Sequence, residues 1–137
     1  MALLPPELGL FRLTPPHRGA RAHMPPDFQL WLGHVPAHCR VIVLAISPWT
    51  HFNSNSALGL CDIVRQLRQQ QRHLVIAGIT SPQYKILARH GLLDVTDAEN
   101  LCPDLEFAIA RGIELVRHAN HLASTLDPSL SPVFASA

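Results

Sequence analysis

The sequence predicts a single-domain α/β fold in which helices pack on a four- or five-stranded, largely parallel sheet. Two uninterrupted apolar runs rich in β-branched residues, Arg40–Ile46 (RVIVLAI) and His73–Ala77 (HLVIA), are typical of central strands covered on both faces. Segments of helical periodicity separate the predicted strands, and this alternation is the pattern of βαβ units. The 137 residues, 47% of them hydrophobic, suffice for one domain with its own core.

The N-terminal segment, residues 1–26, is rich in proline and is predicted to contain only short elements. Half of the 12 prolines lie there in pairs, and each proline fixes its own φ and restricts the residue before it. Gly9–Leu13 (GLFRL) alternates enough for one strand, whereas Gly19–His23 is a poor strand candidate. We therefore divide the chain into this segment, a core over residues 27–119, and a Ser/Pro-rich tail over residues 120–137 that we expect to be flexible.

The first half of the core is predicted to contain a short helix, a strand and a long amphipathic helix. Asp27 can cap a helix over Phe28–Gly33, although a strand over the same residues fits the pattern almost equally well. After the first apolar run, Asn53 or Ser54 can cap a helix that continues to about Gln70. The apolar positions of this helix recur at helical spacing: Ala57, Leu60, Cys61, Val64 and Leu67.

The second half of the core is predicted to continue the same alternation. After the second apolar run, Ser81 as N-cap and Pro82 at the first helical position begin a helix that Gly91 ends. Leu92–Val95 is expected to form a short strand, and Pro103 begins the last helix. The helix residues expected to face the sheet are Leu60, Val64, Leu67, Leu87 and Ile109, with Leu105, Ala108, Gly112 and Val116 completing the inner stripe of the last helix.

Charge and cysteine content exclude several classes of protein. The 11 basic and 10 acidic residues leave a formal net charge of +1, which is too little for a module that holds nucleic acid through phosphate contacts. The 3 cysteines form no CxxC pair, which argues against a disulfide framework and against a zinc ribbon. No segment has the pattern of a membrane span or of a signal peptide.

Few groups in the sequence could bind a metal. His118 and His121 lie one helical turn apart but have no evident third ligand, so a solvated helix end is the favoured interpretation. His34, His38 and Cys39 do not have the spacing of a zinc site. We therefore expect no bound metal.

The sequence also lacks the signatures of catalysis. Cys61 falls on an apolar helix face and is predicted to be a core residue rather than a reactive thiol. Arg65, Arg68 and Arg72 form a basic face that is most simply solvated, with docking on an acidic partner or an anionic membrane as the alternative. No paired carboxylates, Ser/His/Asp arrangement, GxGxxG or P-loop can be placed, so we expect neither enzymatic activity nor a cofactor.

The order and spacing of these elements resemble a STAS domain. The segment VIVLAISPWTHFNSNSALGLCDIVRQLR is similar to the family's central strand, loop and amphipathic helix, with LAIS at the strand end and NSNS at the polar turn before the helix. LVIAGITSPQYKILARHGLLD resembles the next strand and capped helix, and LCPDLEFAIARG resembles the closing helix. The resemblance covers roughly Arg40 to Arg117. It is greatest for the cytosolic C-terminal domains of SulP-type sulfate and anion transporters, followed by the anti-sigma-factor antagonists.

The resemblance implies a cytoplasmic regulatory domain that binds other proteins. Its partner would be the membrane domain of a transporter, at the cytosolic face of a membrane, or, for a free-standing antagonist, an anti-sigma factor or related kinase. In the antagonists a serine of the polar turn is phosphorylated, which makes Ser54 the candidate phospho-acceptor and Asn53, Ser54, Asn55 and Ser56 the candidate partner-binding turn. This chain has Ala45 and Asn53 where the family has Asp.

Other interpretations of the same residues stay open. The four polar residues of the turn could serve only to cap the helix and turn the chain. A small ligand, such as a nucleotide or an acyl group, could instead bind where strand ends meet helix N-termini, as in other open α/β sheets.

Overall fold

The computed structural model describes residues 4–13 and 27–126. In this part of the chain, four strands form one sheet whose order follows the sequence: β1 (Leu8–Arg12), β2 (Val41–Ala45), β3 (His73–Ala77) and β4 (Leu101–Cys102). All neighbouring strands are parallel. The predicted α/β fold with a parallel sheet is confirmed.

Five α-helices connect and cover these strands within the described residues. They are α1 (Phe28–Leu32), α2 (Ser54–Gln69), α3 (Ser81–Arg89), α4 (Leu92–Val95) and α5 (Leu105–Leu126). A 3₁₀ turn over Ala98–Asn100 leads from α4 into β4.

The strands β2 and β3 occupy the centre of the sheet, as predicted. They pair in register from Val41 opposite His73 to Ala45 opposite Ala77. The side chains from Val41 to Leu44 are 0% exposed. A strand that is covered on both faces needs apolar side chains at successive positions, which explains why neither run alternates.

Alternate strand residues divide the interior into two cores, one on each face of the sheet. The first core joins α1, α2, α3 and α4 to Ile42, Leu44, Leu74 and Ile76. The second core joins α5 to Leu8, Val41, Val43, Val75 and Ala77. Four helix residues are buried as predicted: Leu60, Val64, Leu67 and Leu87.

The inner face of α5 differs from the predicted stripe. Leu105 is 38% exposed, and the half-buried Ile109 belongs to neither core. Ala108 and Val116 of the predicted stripe do contact the sheet, together with Leu115, which was not predicted. The prediction was wrong at Leu105, which is the first residue of α5 and lies at its exposed start, and at Ile109, which lies outside both cores.

Gly112 allows α5 to approach the sheet closely. A Cβ atom at this position would lie 2.8 Å from Leu8 Cδ1 and 3.3 Å from Val43 Cγ2. Val43 is fully buried in the central strand. Absence of a side chain at Gly112 therefore sets the distance between α5 and the sheet.

The N-terminal elements agree with two of the three predictions made for them. β1 pairs with β2 and so forms part of the same sheet. The segment after Asp27 is a helix and not a strand, and the Asp27 Oδ1 atom accepts a hydrogen bond of 3.0 Å from the backbone N–H of Leu30. The weak strand candidate Gly19–His23 lies outside the described residues.

Two local predictions after β3 were wrong. Leu92–Val95 forms helix α4 and not a strand, because Gly91, at φ 95°, turns the chain so that Leu92 and Val95 are buried three residues apart. The N-cap of α3 is Thr80 and not Ser81, since the Thr80 hydroxyl accepts from the N–H of Gln83 at 3.3 Å.

The last helix continues past the boundary that we assigned to the tail. α5 extends to Leu126, whereas the tail was expected to begin at residue 120. Residues 127–137 lie outside the described part of the chain. The division into segments at residues 26 and 119 stays a prediction.

His73, the first residue of β3, has a pKa below its ordinary value. Burial lowers the pKa of this half-buried imidazole, and the positive charges of Arg68 and Arg111 lower it further. His73 therefore favours its neutral form in the folded protein.

Candidate functional site

The loop between β2 and α2 is held by a buried glutamine. Gln83 of α3 is 4% exposed, and its Nε2 atom donates to the backbone carbonyls of Ser47 and Thr50, each at 3.0 Å. Its Oε1 atom accepts from the backbone N–H of Thr80 at 2.9 Å. One side chain thus fixes both this loop and the start of α3, and sequence reasoning did not identify it.

An aromatic pair anchors the end of the same loop. Phe52 is 3% exposed and stacks on Phe28 of α1 with ring centroids 6.0 Å apart and an interplanar angle of 10°. Trp49, in the middle of the loop, is instead 85% exposed. The residue before the polar turn is therefore fixed, while the loop presents a large aromatic side chain to solvent.

The polar turn before α2 forms a reciprocal capping box. The Asn53 Oδ1 atom accepts from the backbone N–H of Ser56 at 2.8 Å, and the Ser56 Oγ atom accepts from the backbone N–H of Asn53 at 2.9 Å. Ser56 is 6% exposed, so it serves the fold. Ser54 and Asn55 are exposed and take no part in this exchange. The turn thus combines two residues that fix the backbone with two that face outward.

Ser54 is paired with a histidine that the sequence analysis did not single out. The Ser54 Oγ atom lies 3.2 Å from His90 Nε2, and His90 Nδ1 lies 2.8 Å from the carbonyl oxygen of Ile86. Because a carbonyl oxygen only accepts, Nδ1 carries a proton, and in the neutral imidazole Nε2 then accepts from the serine hydroxyl. No local pattern indicates this contact, because the two residues are 36 positions apart.

A shallow groove between α1 and α2 adjoins the turn. It has a volume of about 280 Å³ and is lined by residues 27–29 of α1 and its cap and by Asn53, Asn55, Ser56 and Gly59. A Cβ atom at Gly59 would have no other atom within 4 Å. The absence of a side chain at Gly59 therefore serves no contact within the described chain, and it leaves the helix backbone open to the groove.

The start of α2 contains no acidic residue of its own, and the nearby Asp27 lines the adjoining groove. The first turn of α2 contains no Asp or Glu, so the positive end of the helix dipole is not neutralised there. On the next turns of the helix, Cys61 is buried, and its Sγ atom donates to the His90 carbonyl at 3.7 Å. Burial raises the pKa of the Cys61 thiol, which agrees with the prediction that this residue belongs to the core.

Two of the three arginines of the predicted basic face contact other segments of the chain, whereas Arg65 pairs with Asp62 on its own helix at 3.0 Å. Arg72 donates from Nε to the Cys39 carbonyl at 2.8 Å and from Nη2 to the Pro36 carbonyl at 3.1 Å. Arg68 donates to the backbone carbonyl of Val95. These two side chains therefore fix the loops before β2 and after α4, which the sequence pattern alone did not reveal.

The candidate metal ligands do not come together. Across residues 4–13 and 27–126, no group of three or more His, Cys, Asp or Glu side chains is arranged to hold a metal ion. His38 Nε2 lies 3.9 Å from the buried Cys39 Sγ.

None of the helices in the described part of the chain has the length and apolarity needed to cross a membrane.

Comparison with known proteins gives one family match and two structural neighbours. The model of the STAS domain family matches residues 17–108. The STAS domain of a SulP transporter from Vibrio cholerae aligns with a TM-score of 0.63 at 20% identity, covering 85% of this chain and 88% of that chain. A sulfate transporter family protein from Wolinella succinogenes aligns with a TM-score of 0.61 at 15% identity, covering 85% of this chain and 93% of that chain. No curated protein sequence matches significantly.

Proposed function

This chain belongs to the STAS domain family, and we propose that it is a non-catalytic regulatory domain that binds a protein partner through the turn from Asn53 to Ser56. The observation that carries the proposal is that the residues of this turn have two different roles. Asn53 and Ser56 fix the backbone, while Ser54 and Asn55 face outward at the carboxyl end of a central strand. A surface that is rigid before binding loses less entropy when a partner docks.

The adjoining groove supports the same surface. Gly59 exposes the backbone of α2 where no part of the described chain needs the space, and glycine in the middle of a helix costs stability relative to alanine. A partner that packs closely on this helix accounts for such a glycine. We propose that the partner is the membrane domain of a SulP-type anion transporter, since one structural neighbour is the STAS domain of a SulP transporter and the other is a sulfate transporter family protein.

The second candidate function is a free-standing antagonist that is switched by phosphorylation of Ser54. It is favoured by the exposed hydroxyl at the first position of α2, whose first turn contains no acidic residue. A phosphate there carries a charge of about −1.5 to −2 and meets the positive end of the helix. His90 in its protonated form would donate from Nε2 to the same phosphate. Binding of a nucleotide where strand ends meet helix N-termini stays a prediction.

The proposal is tested by placing a charge on the turn without disturbing the fold. Ser54→Asp is compared with Ser81→Asp, because Ser81 is also exposed and also occupies the first position of a capped helix. A carboxylate at either position should leave stability unchanged or raise it by about 0.3–1 kcal/mol. Only Ser54→Asp should weaken binding of the full chain to the purified membrane domain of a SulP-type transporter from the same genome.

The binding titration and the melting curve together distinguish the outcomes. Weaker binding by Ser54→Asp and by Asn55→Arg, with wild-type binding by Ser81→Asp and intact melting in all three, supports the partner surface. Binding to an anti-sigma factor or its kinase, with incorporation of phosphate at Ser54, supports the second candidate. Equal binding by all variants would reduce the turn to a helix cap.

A further inference from the structure

A second surface feature lies beside β4, at one edge of the sheet. A groove of about 370 Å³ lies between β4 and α5. Its apolar lining consists of Leu101, Pro103, Phe107 and Ala110. Since β4 is the edge strand and contains only two residues, the sheet ends here and nothing among the described residues covers the groove.

Phe107 is the aromatic residue in the lining of this groove. It is 63% exposed and belongs to neither core. Phe107, Ala110, Arg111 and Glu114 recur at helical spacing, so they form one outward stripe of α5. A large exposed aromatic side chain that is contiguous with other apolar groups is typical of an interaction site.

The rim of the groove is acidic. The guanidinium of Arg111, whose side chain is 15% exposed, lies 3.3 Å from the Glu99 carboxylate and 3.8 Å from the Asp97 carboxylate, and it also pairs with Glu114. All three carboxylates are well exposed, at 67% to 77%. Arg111 can neutralise only one of these charges, and its Nε atom is fixed on Asn100 Oδ1 at 2.8 Å. The groove therefore presents an apolar floor inside a rim of excess negative charge.

We propose that this groove binds a segment of another protein that presents an apolar side chain flanked by lysine or arginine. The apolar side chain packs on Phe107 and Ala110, and the basic residues face Glu99 and Glu114. A second copy of the chain in a symmetric dimer would bring the same acidic rim against itself, which is unfavourable. An anionic membrane surface would be repelled for the same reason.

The proposed segment differs from the partner of the polar turn. The polar turn follows the carboxyl end of β2 and lies beside the groove between α1 and α2. The second groove lies between α5 and β4, which is an edge strand of the sheet. The two surfaces share no lining residue. Failure of one proposal therefore leaves the other standing.

The test is a titration of the full chain with a short fluorescent peptide in which lysines flank a central phenylalanine and leucine. A second peptide, with glutamate in place of each lysine, is the matched probe. We expect saturable binding of the lysine peptide that weakens with added salt. Phe107→Ser and the double variant Glu99→Lys with Glu114→Lys should each weaken it about tenfold or more.

The control variants alter similar groups elsewhere on the surface. Leu58→Ser removes an exposed leucine of α2 and Asp94→Lys reverses an exposed charge of α4, and both should bind the lysine peptide as the wild type does. The proposal is overturned if the lysine peptide does not bind, if both peptides bind alike, or if Phe107→Ser binds normally with an intact melting curve. A dimer of the wild type that Phe107→Ser abolishes in sedimentation would assign the groove to a second copy and would also overturn it.

Discussion

Replacing each of two mid-helix glycines by alanine should change stability in different directions. Gly59 lies inside α2 and Gly112 inside α5. Alanine is favoured over glycine in a helix interior by about 1 kcal/mol. At Gly59 the added Cβ meets no other atom within 4 Å, so Gly59→Ala should gain this amount in full. For a chain of this length the melting temperature should rise by roughly 3–5 °C.

At Gly112 the same gain is opposed by packing. The new Cβ would lie 2.8 Å from Leu8 Cδ1, which can move, and 3.3 Å from Val43 Cγ2, which belongs to a stiff β-branched side chain in a fully buried strand. Forcing an extra carbon into a packed core costs about 1–3 kcal/mol. Gly112→Ala should therefore be neutral or destabilising by up to about 2 kcal/mol, which separates the two variants by about 1–3 kcal/mol.

Urea unfolding followed by far-UV circular dichroism measures both effects. Equal m-values for the wild type and the two variants are the control that the midpoints report stability. Gly59→Arg is the companion variant, because it should keep the fold while weakening partner binding at the turn. If Gly59→Ala destabilised the protein, or if Gly112→Ala stabilised it as much as Gly59→Ala, the assignment of open space to one helix and close packing to the other would be wrong.

Three further predictions concern the core, the loop and the pH dependence of stability. Leu60→Ala and Leu87→Ala should each lower the free energy of unfolding by about 2–5 kcal/mol, and an unchanged urea midpoint in either would contradict the burial of these leucines. Gln83→Leu leaves the loop carbonyls after β2 without their donor, so it should lower the free energy of unfolding by about 1–3 kcal/mol and speed proteolysis of that loop. A variant as resistant to proteolysis as the wild type would refute the role of Gln83 in holding the loop. Burial and nearby arginines lower the pKa of His73 below its ordinary value of 6.5, so stability should fall as the pH drops below about 6.5, where only the unfolded chain gains the proton. His73→Gln should flatten this decline and the exposed control His34→Gln should not; parallel pH profiles for all three proteins would refute it.

The elements that could be predicted from the sequence are those whose cause is local. The two apolar runs predict β2 and β3 because burial on both faces leaves a continuous signature. The cap of α2 was predicted to be Asn53 or Ser54 because capping depends on neighbouring residues, and it is Asn53. The true cap of α3 could also have been predicted from the sequence, since Thr80 and Gln83 have the spacing of a capping box. β4 was missed because two residues are too few for a pattern to emerge.

The parts of the site that could not be predicted depend on contacts between distant segments. Ser54 meets His90, and Gln83 reaches the loop after β2, only because the fold brings α3 and its C-cap beside the segment from Ser47 to Ser54. The exposure of Phe107 likewise depends on where the sheet ends. Apolar residues at helical spacing indicate a buried helix face in general. Sequence periodicity does not reveal that the sheet ends at β4 and leaves Phe107 of α5 uncovered.

Within the described residues, α5 is the one helix that covers the second face of the sheet, and this affects how the chain emerges during synthesis. All four strands are translated before α5, and at about 5–20 residues per second the 22 residues of α5 take roughly one to four seconds more. During this interval the apolar side of β2 and β3 that bears Val41, Val43 and Val75 is not covered by any described helix. A ribosome-associated chaperone with affinity for apolar strands therefore has a defined period in which to bind the nascent protein, and this period closes when Leu115 and Val116 become available to pack.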